Sequence, residues 1–176
     1  LERITGQFLL FAGGGDEELS VPVPLDQLLA EVASSHPADQ LQLQLDTLEV
    51  MVKPVALSRA VANLIDNAFT YGQAPVVLRL LRTADQCSIE VWDQGDGMPQ
   101  RLFEQALQPF HRLDSSRGGQ GHCGLGLAIV AHVARLHGGH LDCRYAEDWN
   151  DLKVPGRFAI RLSFPMELLV ENVSKS

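Results

Sequence analysis

Three groups of residues in this chain have types and spacings that could do chemistry. The first lies in Ser58-Arg-Ala-Val-Ala-Asn63-Leu-Ile-Asp-Asn67-Ala-Phe-Thr-Tyr71-Gly72. Asn63 and Asn67 stand four apart, so on a helix they project from nearly the same side. Asparagine is a poor helix former that favours caps and turns. Two of them on one face read either as a solvated surface or as two amides aimed at a ligand, and the pair alone leaves both readings open. The second group is Asp93-Gln-Gly95-Asp-Gly97-Met98, directly after a predicted strand. Its alternate glycines allow tight turns and close approach of a flat ligand. Asp93, at the strand end, could accept a hydrogen bond from an amino group such as that of adenine. A plain Asp/Gly turn fits the same residues.

The third group is Gly118-Gly119-Gln-Gly121-His-Cys-Gly124-Leu125-Gly126-Leu127, which runs into a helical pattern. Glycines ahead of a helix let backbone N–H groups and the positive end of the helix dipole meet phosphate. No Gly-Lys-Ser/Thr follows, so it is not a P-loop, and no strand leads into it, so it is not a dinucleotide fingerprint. A flexible hinge is the alternative. Between the second and third groups lie Gln108-Pro109-Phe110-His-Arg112 and Arg117. Arginine offers a donor fork suited to phosphate oxygens, although a solvated charge is the ordinary state of a loop arginine.

The elements that must position these groups follow from periodicity. Val61, Leu64, Ile65 and Ala68 form an apolar stripe on a helix that begins at Pro54 and ends at Gly72. A second helix spans 24–35, with Leu25, Leu28, Leu29 and Val32 inward, after a short proline-marked edge strand at 19–23. Leu41, Leu43 and Leu45 alternate with glutamines, and Leu48, Val50 and Val52 alternate again. These two runs are expected to pair as a hairpin. Strands are predicted over 76–81 and 87–92, then an irregular stretch over 93–123 with a short helix about 101–107. A loop of that length inside a domain is functional or mobile. A helix over 124–137 buries Leu127, Val130, Val133 and Ala134 and stops at Gly138-Gly139. The strands 140–145 and 157–165 close the sheet. Helices interleaved with a hairpin-connected sheet predict a two-layer α/β (α+β) sandwich, not a doubly wound parallel sheet.

With 176 residues the chain suits one domain. Its net charge of −8, with no local basic patch, argues against a nucleic-acid partner. No run approaches the eighteen apolar residues of a membrane span. No secretory signal is evident and the first residue is Leu1, so an excised fragment is expected. Residues 1–12 carry Leu1, Ile4, Phe8 and Phe11 at helical spacing and read as the last turns of a longer helix; 13–18 read as a linker and 169–176 as a tail. Three widely spaced cysteines, Cys87, Cys123 and Cys143, fit reduced thiols in a cytoplasmic compartment. The six histidines match no metal-ligand spacing.

The order of these motifs, from about Leu19 to Pro165, resembles the catalytic and ATP-binding domain of bacterial sensor histidine kinases, in the GHKL or Bergerat-fold superfamily. Asn63-Leu-Ile-Asp-Asn67-Ala looks like the N box and Asp93-Gln-Gly-Asp-Gly97 like the first glycine box. Pro109-Phe110 resembles the F box, and Gly124-Leu-Gly-Leu127 the second glycine box. Within that family the likeness is nearest to the EnvZ-type osmosensor kinases, through Ser58-Arg-Ala-Val-Ala-Asn63, Tyr71-Gly72, Gln108-Pro-Phe-His-Arg112, Asp114-Ser115 and Arg117.

The resemblance implies a mixed, mostly antiparallel sheet of about five strands on three helices, with a long ATP lid over 110–123. It implies ATP and Mg²⁺ as ligands. Asn67 would hold the metal, and Asn63 would order the pocket beside Tyr71. Asp93 would read adenine, with Gly95, Gly97 and Met98 making room for the base. Phe110, Arg112 and Arg117 would lie in the lid, and Gly121, Gly124, Leu125, Gly126 and Leu127 would cradle phosphate. Asn63 and Asn67 would be the catalytic pair. Lid closure would slow protease cleavage at Arg112 and Arg117 when Mg-ATP is added. Residues 1–12 would end a dimerisation helix. The partners implied are the histidine-bearing dimerisation domain of the same protein and an OmpR-like response regulator. The parent would be a homodimer anchored in the bacterial inner membrane, with this domain in the cytoplasm.

Two positions depart from the family pattern. Gly121-His122-Cys123-Gly124 holds one residue more than the usual second glycine box, and Thr70 stands where many relatives carry a lysine or arginine. No His-Glu/Asp-x-Arg/Thr-Pro box is present, so the acceptor histidine is expected elsewhere. Water-using ATPases of the superfamily carry glutamate at the first N-box position; Asn63 cannot act as a general base. A degenerate nucleotide-sensing or scaffold module is the alternative function.

Overall fold

The structure, a computed structural model, describes residues 16–108, 126–148 and 153–166. The expected segments 1–12 and 169–176, residues 13–15 of the linker, and the lid lie outside them. Among the described residues, seven strands and four α-helices follow in the order β1 (Val21–Pro24), α1 (Leu25–Ala33), β2 (Leu41–Leu45), β3 (Glu49–Val52), α2 (Pro54–Tyr71), β4 (Val76–Arg82), β5 (Gln86–Asp93), α3 (Gln100–Ala106), α4 (Gly126–Leu136), β6 (His140–Tyr145) and β7 (Phe158–Pro165). The principal sheet has five strands in the order β2-β4-β5-β7-β6. Its pairings are antiparallel except β2 with β4, which is parallel. The expected two-layer sandwich is therefore present.

The apolar stripe of α2 explains the layering. Val61, Leu64, Ile65 and Ala68 are buried in one cluster with Leu25 and Leu29 of α1, Val130 and Val133 of α4, and Leu78, Leu80, Ile89, Val91, Ile160 and Leu162 of the sheet. Burial of each such side chain contributes about 1.5–3 kcal/mol, so the three long helices are held on one face mainly by this stripe-to-sheet contact. Alternation sends the other side chains to the opposite face. There Val77, Trp92 and Ala159 form a second apolar cluster with Val154 against it. Beside it Trp92 Nε1 donates to Glu90 at 2.7 Å, and Arg161 makes a forked contact to Asp142 at 2.9 and 2.6 Å.

The expected hairpin of the two Leu/Val runs is not formed. β3 pairs antiparallel with β1, Val52 opposite Val21, in a separate two-stranded sheet. β2 pairs with β4 instead, Leu41 opposite Val76. The connection between the runs is bonded away from a turn. Asp46 N–H donates to Leu80 O (3.1 Å) and its carboxylate accepts from Arg82 N–H (3.1 Å). Leu48 O accepts from Leu25 N–H at 2.8 Å. Each run thus finds a long-range partner that satisfies its backbone better than a three-residue connection could.

Candidate nucleotide site

Three chain segments meet at one end of the helix layer. α2 brings Asn63 and Asn67 on one side and Tyr71 and Gly72 at its end. β5 ends at Asp93, and α4 begins at Gly126. Pro54 at the first turn and the absence of β-branched runs let α2 extend for 18 residues, long enough to bring its C-terminal end to Asp93 at the end of β5. Both asparagine side chains are half-buried, and among the described residues neither amide makes a hydrogen bond. A Cβ built on Gly126 would lie 3.8 Å from Asn67 Nδ2 and 3.9 Å from its Oδ1. The second glycine box therefore opens directly onto the second asparagine of the N box. The start of α4 thus stands beside the Asn67 amide, and a helix N-terminus is suited to meeting phosphate.

Asp93 is the buried polar centre of the other half. It is 5% exposed, and its Oδ1 accepts from Gly95 N–H at 2.6 Å. Burial pushes its carboxyl up from the ordinary value, while the backbone N–H groups of Gly95 and Gln73 pull the other way. The strand end is fixed by three further backbone bonds and contacts. Arg157 N–H donates to Asp93 O (2.8 Å), Gln94 N–H donates to Gln73 O (2.8 Å), and Gly156 lies so near that a Cβ there would come within 2.7 Å of Asp93 O. A buried carboxylate held this firmly, with Oδ1 on the Gly95 N–H, suits a ligand that brings a matched N–H donor.

Gly72 does more than end α2. Its backbone is extended (φ −99°), not left-handed, so the helix stop does not require glycine. What requires it is space: a Cβ there would lie 2.5 Å from both Asp93 carboxylate oxygens. We expect Gly72→Ala to displace that carboxylate, costing about 1–3 kcal/mol of stability by overpacking and weakening nucleotide binding about tenfold. Thermal unfolding and calorimetric titration measure the two effects. Gly97 has φ +71° and packs on the Phe158 ring, which explains the second glycine of that box.

Of the other expected site residues, Met98 packs partly buried against the core and its carbonyl accepts from the Tyr145 hydroxyl. Tyr71 is 66% exposed at the end of α2. The Leu127 side chain is buried in the core, so only its backbone can face a phosphate. Phe110, Arg112, Arg117, Gly121, Gly124 and Leu125 lie outside the described residues. Tyr145, Phe158 and Gly156, which support the Asp93 loop, have no motif of their own. The only signal for the first two was two aromatics at adjacent ends of the closing strand pair, where they are register partners.

Comparisons with known proteins agree with this geometry. Residues 52–168 match the family described as histidine kinase-, DNA gyrase B-, and HSP90-like ATPase. The chain is 42% identical over 89 residues to the sensor histidine kinase GtrS of Pseudomonas aeruginosa, a match covering 51% of this chain and 18% of that protein. Among solved structures it resembles the mycobacterial sensor histidine kinase MprB at 25% identity with a TM-score of 0.68, over 84% of this chain and 98% of that one. It also resembles the histidine kinase domain of the Escherichia coli osmosensor EnvZ at 28% identity with a TM-score of 0.59, over 85% and 89% of the two chains. The match thus spans under a fifth of the length of GtrS. The chain belongs to the histidine kinase-, DNA gyrase B- and HSP90-like ATPase family, and within it is a catalytic domain of the sensor histidine kinase kind.

Proposed function

We propose that this domain binds Mg-ATP between α2, the Asp93 loop and the start of α4, and donates the terminal phosphoryl group to a histidine on a separate dimerisation domain. The observation that carries the reading is the apposition of the Asn67 amide to Gly126, with the buried Asp93 carboxylate on the same side of the sheet's end. Asp93 accepts from the adenine amino group and so selects the base. Asn67 offers a hard amide oxygen to Mg²⁺, an ion that takes one or two protein ligands and completes its shell with phosphate oxygens and water. Held there, Mg²⁺ would supply neutralisation of the phosphate charge. Asn63, one turn earlier on α2, orders the pocket wall. Backbone N–H groups of Gly121, Gly124, Leu125, Gly126 and Leu127 cradle phosphate, and Phe110, Arg112 and Arg117 close over it.

Phosphoryl transfer of this type rests on positioning and electrostatics, with the attacking nitrogen supplied by the acceptor. Asn63 has no proton-accepting carboxylate, so water inside the site is not activated. We further infer that the acceptor histidine lies on the dimerisation domain of the same protein, with residues 1–12 the end of its second helix and 13–18 the linker. The phosphoryl group then passes to an OmpR-like response regulator, and the parent is a membrane-anchored homodimer with this domain on the cytoplasmic side. Among the described residues no helix is long and apolar enough to cross a membrane.

Asn67, Asp93 and Gly126 standing together favour a kinase over a scaffold module. Calorimetric titration with ATP and Mg²⁺ should give measurable heat, and mixing with a histidine-bearing dimerisation domain should give acid-labile phosphate on that domain. No heat of binding overturns the reading in favour of the scaffold. Rapid ATP hydrolysis by the domain alone overturns it in favour of a water-using ATPase.

A further inference from the structure

The helix pair that carries the site has a second end, and it is not idle. α2 and α4 run antiparallel: Asn67 meets Gly126 at one end, and Lys53, the residue just before α2, meets His137 at the other. The distance from Lys53 to Asn67 along α2 is about 21 Å at 1.5 Å per residue.

At that far end α2 is not capped by its own N-cap side chain. The carboxylate of Glu18, from the segment leading into β1, takes that role. Its Oε1 accepts from Val55 N–H at 2.6 Å and its Oε2 from Ala56 N–H at 2.9 Å. Pro54 has no N–H, and Leu57 N–H is bonded to Lys53 O at 3.0 Å, so the whole first turn is satisfied only while Glu18 is in place. Lys53 Nζ closes the contact by donating to Glu18 O. Two residues earlier, Asp16 Oδ1 lies 3.1 Å from His132 Nε2 on α4. The same short segment is therefore tied to both site helices.

α2 and α4 are also tied to each other there. Lys53 N–H donates to His137 Nε2 at 3.0 Å, and His137 Nδ1–H donates to Val133 O at 2.8 Å. These partners fix one neutral tautomer of the ring, which packs on Phe164. The charged groups that bear on the ring are Lys53 and Glu18, of opposite sign.

Resting on the proposed nucleotide site, we infer that Asp16 to Glu18 form a clasp at the remote end of the α2–α4 pair. The clasp sets how Asn67 stands against Gly126, so that displacement of the chain leading into the domain is felt at the phosphate cradle. Glu18 and His137 are positioning residues: they touch no ligand and act through α2 and α4. The two states differ in whether the first turn of α2 has its carboxylate partner. The helices are stiff, so loss of that partner is carried along the pair and not absorbed in a loop.

The test uses the full 176-residue chain carrying Glu18→Ala, with Asp16→Ala as a second variant that leaves the α2 cap intact. Leu45→Ala on the edge strand β2 serves as a control chosen for equal loss of unfolding temperature. In the nucleotide-free chain, Glu18→Ala should abolish exchange protection at the Val55 and Ala56 amides and shift the Asn67 side-chain amide resonances. Asp16→Ala should shift the Gly126 amide. Each should weaken Mg-ATP binding about fivefold, and Leu45→Ala should leave the resonances and the affinity where they are. The inference is overturned if the changes stop within the first two turns of α2 with Asn67 unmoved, or if Leu45→Ala moves Asn67 equally. Should the unaltered chain bind no nucleotide, the functional reading fails, while the Asn67 and Gly126 resonances still decide the clasp.

Discussion

Replacing Asn67 by alanine should abolish the Mg²⁺-dependent part of ATP binding and lower phosphoryl transfer by about 10²–10³-fold, with almost no change in stability. The stability half follows from position. Asn67 is half-buried on α2, makes no hydrogen bond among the described residues, and does not belong to the stripe of Val61, Leu64, Ile65 and Ala68 that holds the helix down. Its truncation therefore exposes no orphaned partner, and alanine is the better helix former, so the change in unfolding free energy should stay within about 0.5 kcal/mol. The functional half follows from the proposed role of the Asn67 amide oxygen, which would hold Mg²⁺ beside the phosphates. Losing about 3–4 kcal/mol of charge stabilisation gives the stated rate factor. Titrations with and without Mg²⁺ separate the effects. The unaltered chain should gain affinity when Mg²⁺ is added, and Asn67→Ala should not. Equal Mg²⁺ enhancement in both chains would remove Asn67 as the metal ligand.

Asn67 was readable in advance because its oddity is local. An amide at a helix position where an amide is disfavoured, repeated four residues on, is visible without any fold. The same holds for Asp93, marked by alternate glycines after a strand, and for the apolar stripe of α2. What escaped were pairings decided at a distance. Leu41–Leu45 and Glu49–Val52 have the local pattern of a hairpin, yet their partners are Val76–Leu80 and Val21–Pro24. Nothing in an alternating strand says which edge it will join. Gly72 had a local explanation, the helix stop, that the structure replaces with a distant one, the Asp93 carboxylate 21 positions later. Glu18 and His137 were invisible for the same reason. Their bonds to α2 span 37 and 84 residues, and neither sits in a motif. The side chains proposed to carry the chemistry were thus legible, and the groups that orient them were not.

Asp93 sets stability against function, and this gives the second large effect. Its carboxylate is buried, and burial holds its folded-state proton affinity above the ordinary carboxylate value, against the pull of the Gly95 and Gln73 N–H groups. A group so shifted destabilises the fold above its folded-state pKa, and the penalty is relieved as pH falls through that value. Asp93→Asn keeps an oxygen for the Gly95 N–H and removes the charge. The variant should therefore unfold at the same or a higher temperature than the unaltered chain at pH 7–8. The gap should narrow as the pH is lowered and Asp93 takes up its proton. ATP binding should move the opposite way. With the asparagine oxygen kept on Gly95, its –NH₂ takes the place of the second carboxylate oxygen and meets the adenine amino group donor to donor. Loss of one charge-assisted bond, about 1.5–3 kcal/mol, corresponds to about a 10–150-fold weaker Kd. The unaltered chain should show the same loss as the pH falls, because protonated Asp93 is a poorer acceptor, while the weak binding of Asp93→Asn should depend much less on pH. Calorimetric titration at several pH values, paired with thermal unfolding of both chains, tests the two trends at once. A variant that binds ATP as tightly as the unaltered chain would show that Asp93 does not read the base. A variant that unfolds several degrees lower would show that the carboxylate supports the fold instead of straining it.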